Sequence, residues 1–187
     1  TSIFRALHTL PGQHVLCFHY DKVGLSWRKP TEAQLVTDAL SVLDWFAQQQ
    51  HMPLERLAVA GRSLGSGIAV QVAAQRPVAR LALISPHDRL ISAVRVKLPG
   101  LPEWMLKDRF DSVTHMPAVH CPCLLVVGEQ DRAIPPALSE RLLRHWHGHC
   151  TPFRVANAGH RGLLRRHDVH TALAHFLHPP SQDIITP

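Results

Sequence analysis

Leu57-Ala58-Val59-Ala60-Gly61-Arg62-Ser63-Leu64-Gly65 is the stretch whose reading decides the fold. Leu57 to Ala60 is a short apolar run of the kind that forms a buried strand. From about Leu64 to Gln75 the pattern is helical. Gly65, Ser66, Gly67 and Ala69 permit close packing, and Arg76-Pro77 ends the helix. Gly-x-Ser-x-Gly sits between the two elements. The pentapeptide fixes only three positions and is a weak signal alone. Its setting is stronger, because a serine on a sharp strand–turn–helix junction projects its hydroxyl from the apex. The flanking glycines let strand and helix approach without side-chain clashes. Ser63 is therefore the candidate nucleophile. A glycine-rich strand-to-helix turn without chemistry is the competing reading.

Outward from this junction, apolar runs alternate with helical patterns, which predicts βαβ units and a mostly parallel sheet. Upstream, Thr31-Glu32-Ala33-Gln34 has the form of a capping box. Leu35, Val36, Ala39, Leu40, Leu43, Phe46 and Ala47 follow at helical spacing, up to Pro53. Further upstream, Val15 to Phe18 reads as a buried strand and Ile3 to Leu10 as a short helix. Downstream, strands are predicted over Leu81 to Ile84, Leu124 to Val127 and Phe153 to Val155. Helices are predicted over Ala137 to His145 and Leu163 to Phe176. The total is about five strands with intervening helices. Residues 1–178 form one domain, with 86–119 as a small cap-like insertion and 179–187 as a tail.

The bulk numbers fit that plan. A chain of 187 residues with a hydrophobic fraction of 45% suits a single globular domain. No apolar run reaches the roughly 18–20 residues of a membrane-spanning helix, and no signal peptide is evident at the N-terminus. The formal charge of +6 comes from scattered basic residues, with only Arg161, Arg165 and Arg166 close together. Few aromatics are interleaved, so nucleic acid is not the expected partner. Cys17, Cys121, Cys123 and Cys150 make no disulfide framework. Cys17 and Cys123 lie in or beside apolar runs as free core cysteines do. A reducing, cytoplasmic location fits. The chain begins with Thr, which raises the expectation of a fragment or processed product, and an upstream membrane anchor is not excluded.

A serine hydroxyl is a poor nucleophile at neutral pH. It needs an imidazole to take its proton, and the imidazole needs a carboxylate to fix its tautomer. On a strand–turn–helix scaffold the chain order is serine, acid, histidine, with each at a strand's carboxyl end. Asp131 follows the strand ending at Val127, and His160 follows the strand ending at Val155, between Gly159 and Gly162. Glu129 and Asp88 are the alternative acids. Among 15 histidines, only its place after the last strand singles out His160. His145-Trp146-His147-Gly148-His149-Cys150 gathers four potential metal ligands. A helix end at His145 followed by a solvated loop is the simpler reading, and no metal is assigned.

This pattern resembles the α/β-hydrolase superfamily, and within it the small, nearly capless serine aminopeptidase-like and Bem46-like group. The likeness runs along almost the whole chain. Trp27-Arg28-Lys29-Pro30-Thr31-Glu32, Asp38 to Asp44-Trp45, Leu83-Ile84-Ser85-Pro86-His87-Asp88, Arg109-Phe110-Asp111-Ser112 and Pro122 to Gly128 all contribute. The resemblance implies a three-layer α/β-hydrolase fold, a triad of Ser63, Asp131 and His160, and the backbone N–H of Leu64 as first oxyanion donor. Two departures stand out. His19-Tyr20-Asp21-Lys22-Val23-Gly24-Leu25-Ser26 keeps Tyr20, Gly24 and Ser26 of a family stretch but loses its Asp, Arg and first Gly. The family's first three strands also have no counterpart, so the fold is expected to be truncated at its N-terminus. The loop that supplies a second oxyanion donor is then expected upstream of Thr1.

The implied chemistry is acyl transfer to water through an acyl-enzyme on Ser63, with no cofactor. The expected substrate is a small-molecule carboxylic ester or thioester, with peptide hydrolysis second. A non-catalytic, hydrolase-like binding domain is a reading of another class. Leu98, Leu101, Trp104, Met105 and Leu106 either line an apolar acyl pocket or cover the sheet edge. Tyr20 and Trp104 are the candidate substrate-binding residues. Oligomeric state is not legible.

Overall fold

The computed structural model describes residues 14–17 and 30–177. Its centre is a parallel sheet of four strands: β1 (Ala58–Arg62), β2 (Arg80–Ile84), β3 (Cys123–Gly128) and β4 (Cys150–Val155). They lie side by side in chain order. Two longer helices precede and follow β1: α1 (Glu32–Gln49) and α2 (Leu64–Gln75). Short helices α3 (Leu90–Arg95) and α4 (Ser112–His115) lie between β2 and β3. Helix α5 (Pro136–Leu143) joins β3 to β4, and α6 (His167–Leu177) follows β4.

Strand alternation builds three layers. On one face, Leu81, Leu83 and Cys123 pack with Ala69, Val70 and Ala73 of α2 and Leu142 of α5. On the other, Ala82, Ile84, Leu124 and Val126 pack with Leu163 and with Val169 and Leu173 of α6. Leu81 and Leu83 are fully buried, each worth about 1.5–3 kcal/mol of apolar transfer. Helix α1 docks through Leu35 and Val36 onto Ile68 and Val72 of α2. Thr31 caps α1 by accepting from the N–H of Gln34 at 3.3 Å. Among the described residues the reciprocal half of the capping box, from the Thr31 N–H to the Gln34 side-chain oxygen, is not made; the Gln34 amide N–H donates to Asp38.

The three-layer α/β arrangement and the parallel sheet match the sequence reading. β4 starts at Cys150 rather than Phe153 and the last helix at His167 rather than Leu163, and two further corrections concern β1 and the strand count. Strand β1 begins at Ala58 and runs through Gly61 and Arg62, which pair with Leu83 and Ile84. The second concerns the expected fifth strand. Val15, Leu16 and Cys17 carry no strand, and Leu16 is 43% exposed. An apolar run becomes a strand only by ladder bonding to a neighbour, and these residues pair with none of the four strands. Cys17 is accordingly exposed, whereas Cys123 is buried as expected. Phe18, the helix predicted from Ile3 to Leu10, Tyr20 and the tail 179–187 lie outside the described residues.

Candidate functional site

The site is built where β1, β3 and β4 end. Ser63 follows β1 directly with φ 53° and ψ −123°, a strained conformation for a residue with a side chain. Three bonds to neighbouring groups hold it there. Its N–H donates to the Ile84 carbonyl at 2.9 Å. Its carbonyl accepts from the Ser66 N–H at 2.9 Å and from the Ser66 hydroxyl at 2.5 Å. Gly61 makes the turn sterically possible, since a Cβ there would sit 2.3 Å from the Gly65 carbonyl oxygen and 2.6 Å from the Ala69 Cβ. The Leu64 N–H opens α2 and has no acceptor among the described residues, as expected of a first-turn donor.

Asp131 and His160 are brought together by the loops after β3 and β4. Asp131 is buried, and its Oδ1 accepts from the N–H groups of Ala133 and Ile134, both at 2.9 Å. Its Oδ2 is thereby left for His160, whose Nδ1 lies 2.8 Å away. Burial works to raise the Asp131 pKa, but the bonds from His160 and the Ile134 N–H outweigh it and hold the carboxyl below its ordinary value. An ionised carboxylate only accepts, so Nδ1 carries a proton, and in the neutral ring the lone pair falls on Nε2. Among the described residues, no hydrogen bond joins His160 to the Ser63 hydroxyl.

The alternative acids are placed elsewhere. Glu129 is exposed. Asp88 is buried but committed to Arg141 at 2.7 Å and to the Ser92 hydroxyl at 3.2 Å. The histidine run after α5 does not converge. Trp146 turns into the core, His145, His147 and His149 are exposed, and Cys150 begins β4. No group of three His, Cys, Asp or Glu suited to a metal occurs among the described residues. Trp104 is 80% exposed, so it encloses no acyl pocket here, and Leu98 and Met105 stand out likewise.

Sequence reasoning passed over two supporting residues. Arg62, the variable position of the pentapeptide, donates from Nη2 to the His160 carbonyl at 2.8 Å. Glu32, which the sequence shows as part of a helix cap and of a family-like segment, reaches across the chain. Its carboxylate accepts from the N–H groups of Arg109 and Phe110 and from the Gln71 amide. That fixes Phe110, at φ 39°, close to Gly67 in the helix behind Ser63. Only an acid placed at the start of α1 opposite Arg109-Phe110 hinted at this, and the sequence alone does not show the pairing.

Residues 2–120 match the family described as alpha/beta hydrolase fold. The chain belongs to the α/β-hydrolase family. Among curated relatives of this α/β-hydrolase is an uncharacterised protein of Mycobacterium tuberculosis, 39% identical over 139 residues, covering 74% of this chain and 49% of that protein. The zebrafish (Danio rerio) lysophosphatidylserine lipase ABHD12 is 29% identical over 160 residues, covering 75% of this chain and 41% of that one. The chain thus spans about half the length of the curated relatives it matches. A solved monoacylglycerol lipase from Paleococcus ferrophilus superposes with a TM-score of 0.56 at 17% identity, covering 76% of this chain and 74% of its own. That last likeness speaks to the α/β-hydrolase fold alone. Among the described residues, no helix is long and apolar enough to cross a membrane.

Proposed function

We propose that this α/β-hydrolase is a serine hydrolase that cleaves carboxylic esters or thioesters. Ser63 attacks the carbonyl carbon while His160 Nε2 takes its proton. Asp131 stabilises the imidazolium that forms. The Leu64 N–H donates to the tetrahedral oxyanion, with a second donor supplied by residues beyond those described. His160 returns the proton to the leaving alcohol or thiol. It then activates the water that hydrolyses the acyl-enzyme.

The observation that carries the reading is the Asp131–His160 bond of 2.8 Å, with the other carboxylate oxygen saturated by backbone. That arrangement fixes the tautomer and, among the described residues, leaves Nε2 without a partner. The separation of His160 from the Ser63 hydroxyl is compatible with it, because such bonds commonly tighten only with substrate bound. The strained serine supports the same assignment, since strain held by neighbouring bonds marks functional turns. A relative named as a lysophosphatidylserine lipase makes an ester the favoured substrate class.

A fluorophosphonate probe tests the reading. It should label the protein at Ser63 and leave Ser63→Ala unlabelled. Asp131→Asn should label roughly 10³–10⁴-fold more slowly, through the wrong histidine tautomer. Hydrolysis of short-chain p-nitrophenyl esters and acyl thioesters should exceed that of peptide anilides. Absence of label on the wild-type protein would instead mark a non-catalytic binding domain.

A further inference from the structure

Six large apolar residues stand exposed among the described ones, and four of them fall within ten positions: Val96, Leu98, Trp104 and Met105. Isolated exposed apolar residues need no explanation, but a cluster does. The segment that carries them is a closed excursion. The Leu90 N–H donates to the Arg109 carbonyl at 3.0 Å, so the chain leaves and returns at one point. Buried Ile91 and Phe110 root the two ends. Between them the tip is ordered by its own bonds. The Arg95 guanidinium holds the Leu101 carbonyl at 2.9 Å, and Leu98 and Leu106 donate to the carbonyls of Val94 and Glu103. The apolar side chains are thus presented outward by a fixed backbone.

Charge decides what they meet. Residues 89–109 contain five basic and two acidic side chains. Arg89 is paired with Asp111 at 3.3 Å, which leaves four basic side chains against two acidic ones, Glu103 and Asp108. Lys97 stands next to Leu98, and Lys107 follows Leu106; both lysines are exposed. Lysine is depleted in protein–protein interfaces. At a bilayer surface it extends its head to the phosphates while its stem lies against apolar groups. Tryptophan is enriched at that same boundary, and basic residues near an apolar face favour anionic lipid.

We propose that the tip of this excursion is a docking surface for an anionic phospholipid bilayer, with Leu98, Trp104 and Met105 entering the headgroup boundary and Lys97 and Lys107 meeting the phosphates. The excursion begins six residues after Ile84, whose carbonyl holds Ser63. The base of the excursion therefore lies at the same end of β2 as the serine. Binding does not require the hydrolase reading.

Flotation with phosphatidylcholine vesicles, with and without phosphatidylserine, tests the proposal. The wild-type protein should float with the mixed vesicles, less so in high salt, and hardly at all with phosphatidylcholine alone. Leu98→Ser combined with Trp104→Ser should lower partitioning by about tenfold or more at unchanged melting temperature. Lys97→Glu with Lys107→Glu should abolish the preference for phosphatidylserine. Brominated lipid should quench wild-type tryptophan fluorescence but not the residual fluorescence of Trp104→Phe. Ser63→Ala should float like wild type, which separates lipid docking from catalysis. Equal flotation of the double-serine variant overturns the proposal. So does a lipid-free dimer that the same variant converts to monomer, which would make the tip a contact between copies of this chain.

Discussion

Arg62 Nη2 donates to the backbone carbonyl of His160 at 2.8 Å, so the residue beside the proposed nucleophile holds the backbone of its proposed base. The contact spans 98 positions of sequence and ties the turn after β1 to the loop after β4. Asp131 fixes the His160 ring, and Arg62 fixes the chain that carries it. Arg62 is thus a positioning residue. A charge-assisted hydrogen bond is worth about 1.5–3 kcal/mol. Arg62→Met should slow fluorophosphonate labelling of Ser63 by about 10- to 100-fold, on the same principle. Arg62→Lys should recover part of the rate, because an ammonium can still reach the carbonyl but lacks the guanidinium's planar spread. A purely structural role would instead lower the melting temperature and leave the labelling rate of the folded fraction unchanged.

Gly128 governs a second approach between the same loops. A Cβ at Gly128 would lie 2.5 Å from the Ala158 carbonyl oxygen and 3.2 Å from its carbon, both backbone atoms. That carbonyl also accepts from the Gln130 N–H at 3.0 Å, so it has little room to yield. Gly128→Ala must therefore push the His160 loop away from the Asp131 loop. Overpacking of this kind costs about 1–3 kcal/mol. A urea melt should show that loss, and Ser63 labelling should fall by more than the unfolded fraction explains. Unchanged labelling would mean that the two loops move together.

These contacts mark the boundary of what the sequence made legible. Leu64 to Gln75 could be placed as a helix because its apolar pattern and the following Arg76-Pro77 are local signals. Asp131 and His160 could be chosen because chain order and strand ends constrain them. The Arg62–His160 contact depends on how far β4 lies from β1 across the finished sheet, and no local pattern encodes that. Val15 to Cys17 shows the opposite error. Its composition suits a strand, but a strand exists only with a hydrogen-bonding neighbour. The strand expected over Phe153 to Val155 is too short for a similar reason. Cys150 to Pro152 belong to β4 because they pair with Cys123 to Leu125, not because their own pattern is apolar. Size and apolarity make Trp104 a candidate either for an acyl pocket or for cover of the sheet edge, and its exposure fits neither, because side-chain type does not say which way a loop turns.

His87, fully buried behind Ser63, should set the acid limit of the fold. Among the described residues, neither ring nitrogen has a hydrogen-bond partner. Burial pushes its pKa down to about 4; the charges of Asp88 and Glu32 and the Ser63 carbonyl pull the other way without restoring it. In the unfolded chain the imidazole titrates near its ordinary value of 6.5. Between those two values the unfolded state binds a proton that the folded state refuses, so stability falls as pH drops from 6.5 toward 4. The full loss amounts to about 3 kcal/mol. Asp131 does not contribute in this window, because its lowered pKa makes its stabilisation fade only below about 3.8. His87→Met removes the titrating group and keeps much of the buried volume. Melting temperatures recorded from pH 7.5 down to pH 4.5 should fall less steeply for His87→Met than for wild type, with the difference between the two curves changing only below about pH 6.5. Parallel curves would place the acid sensitivity elsewhere in the molecule.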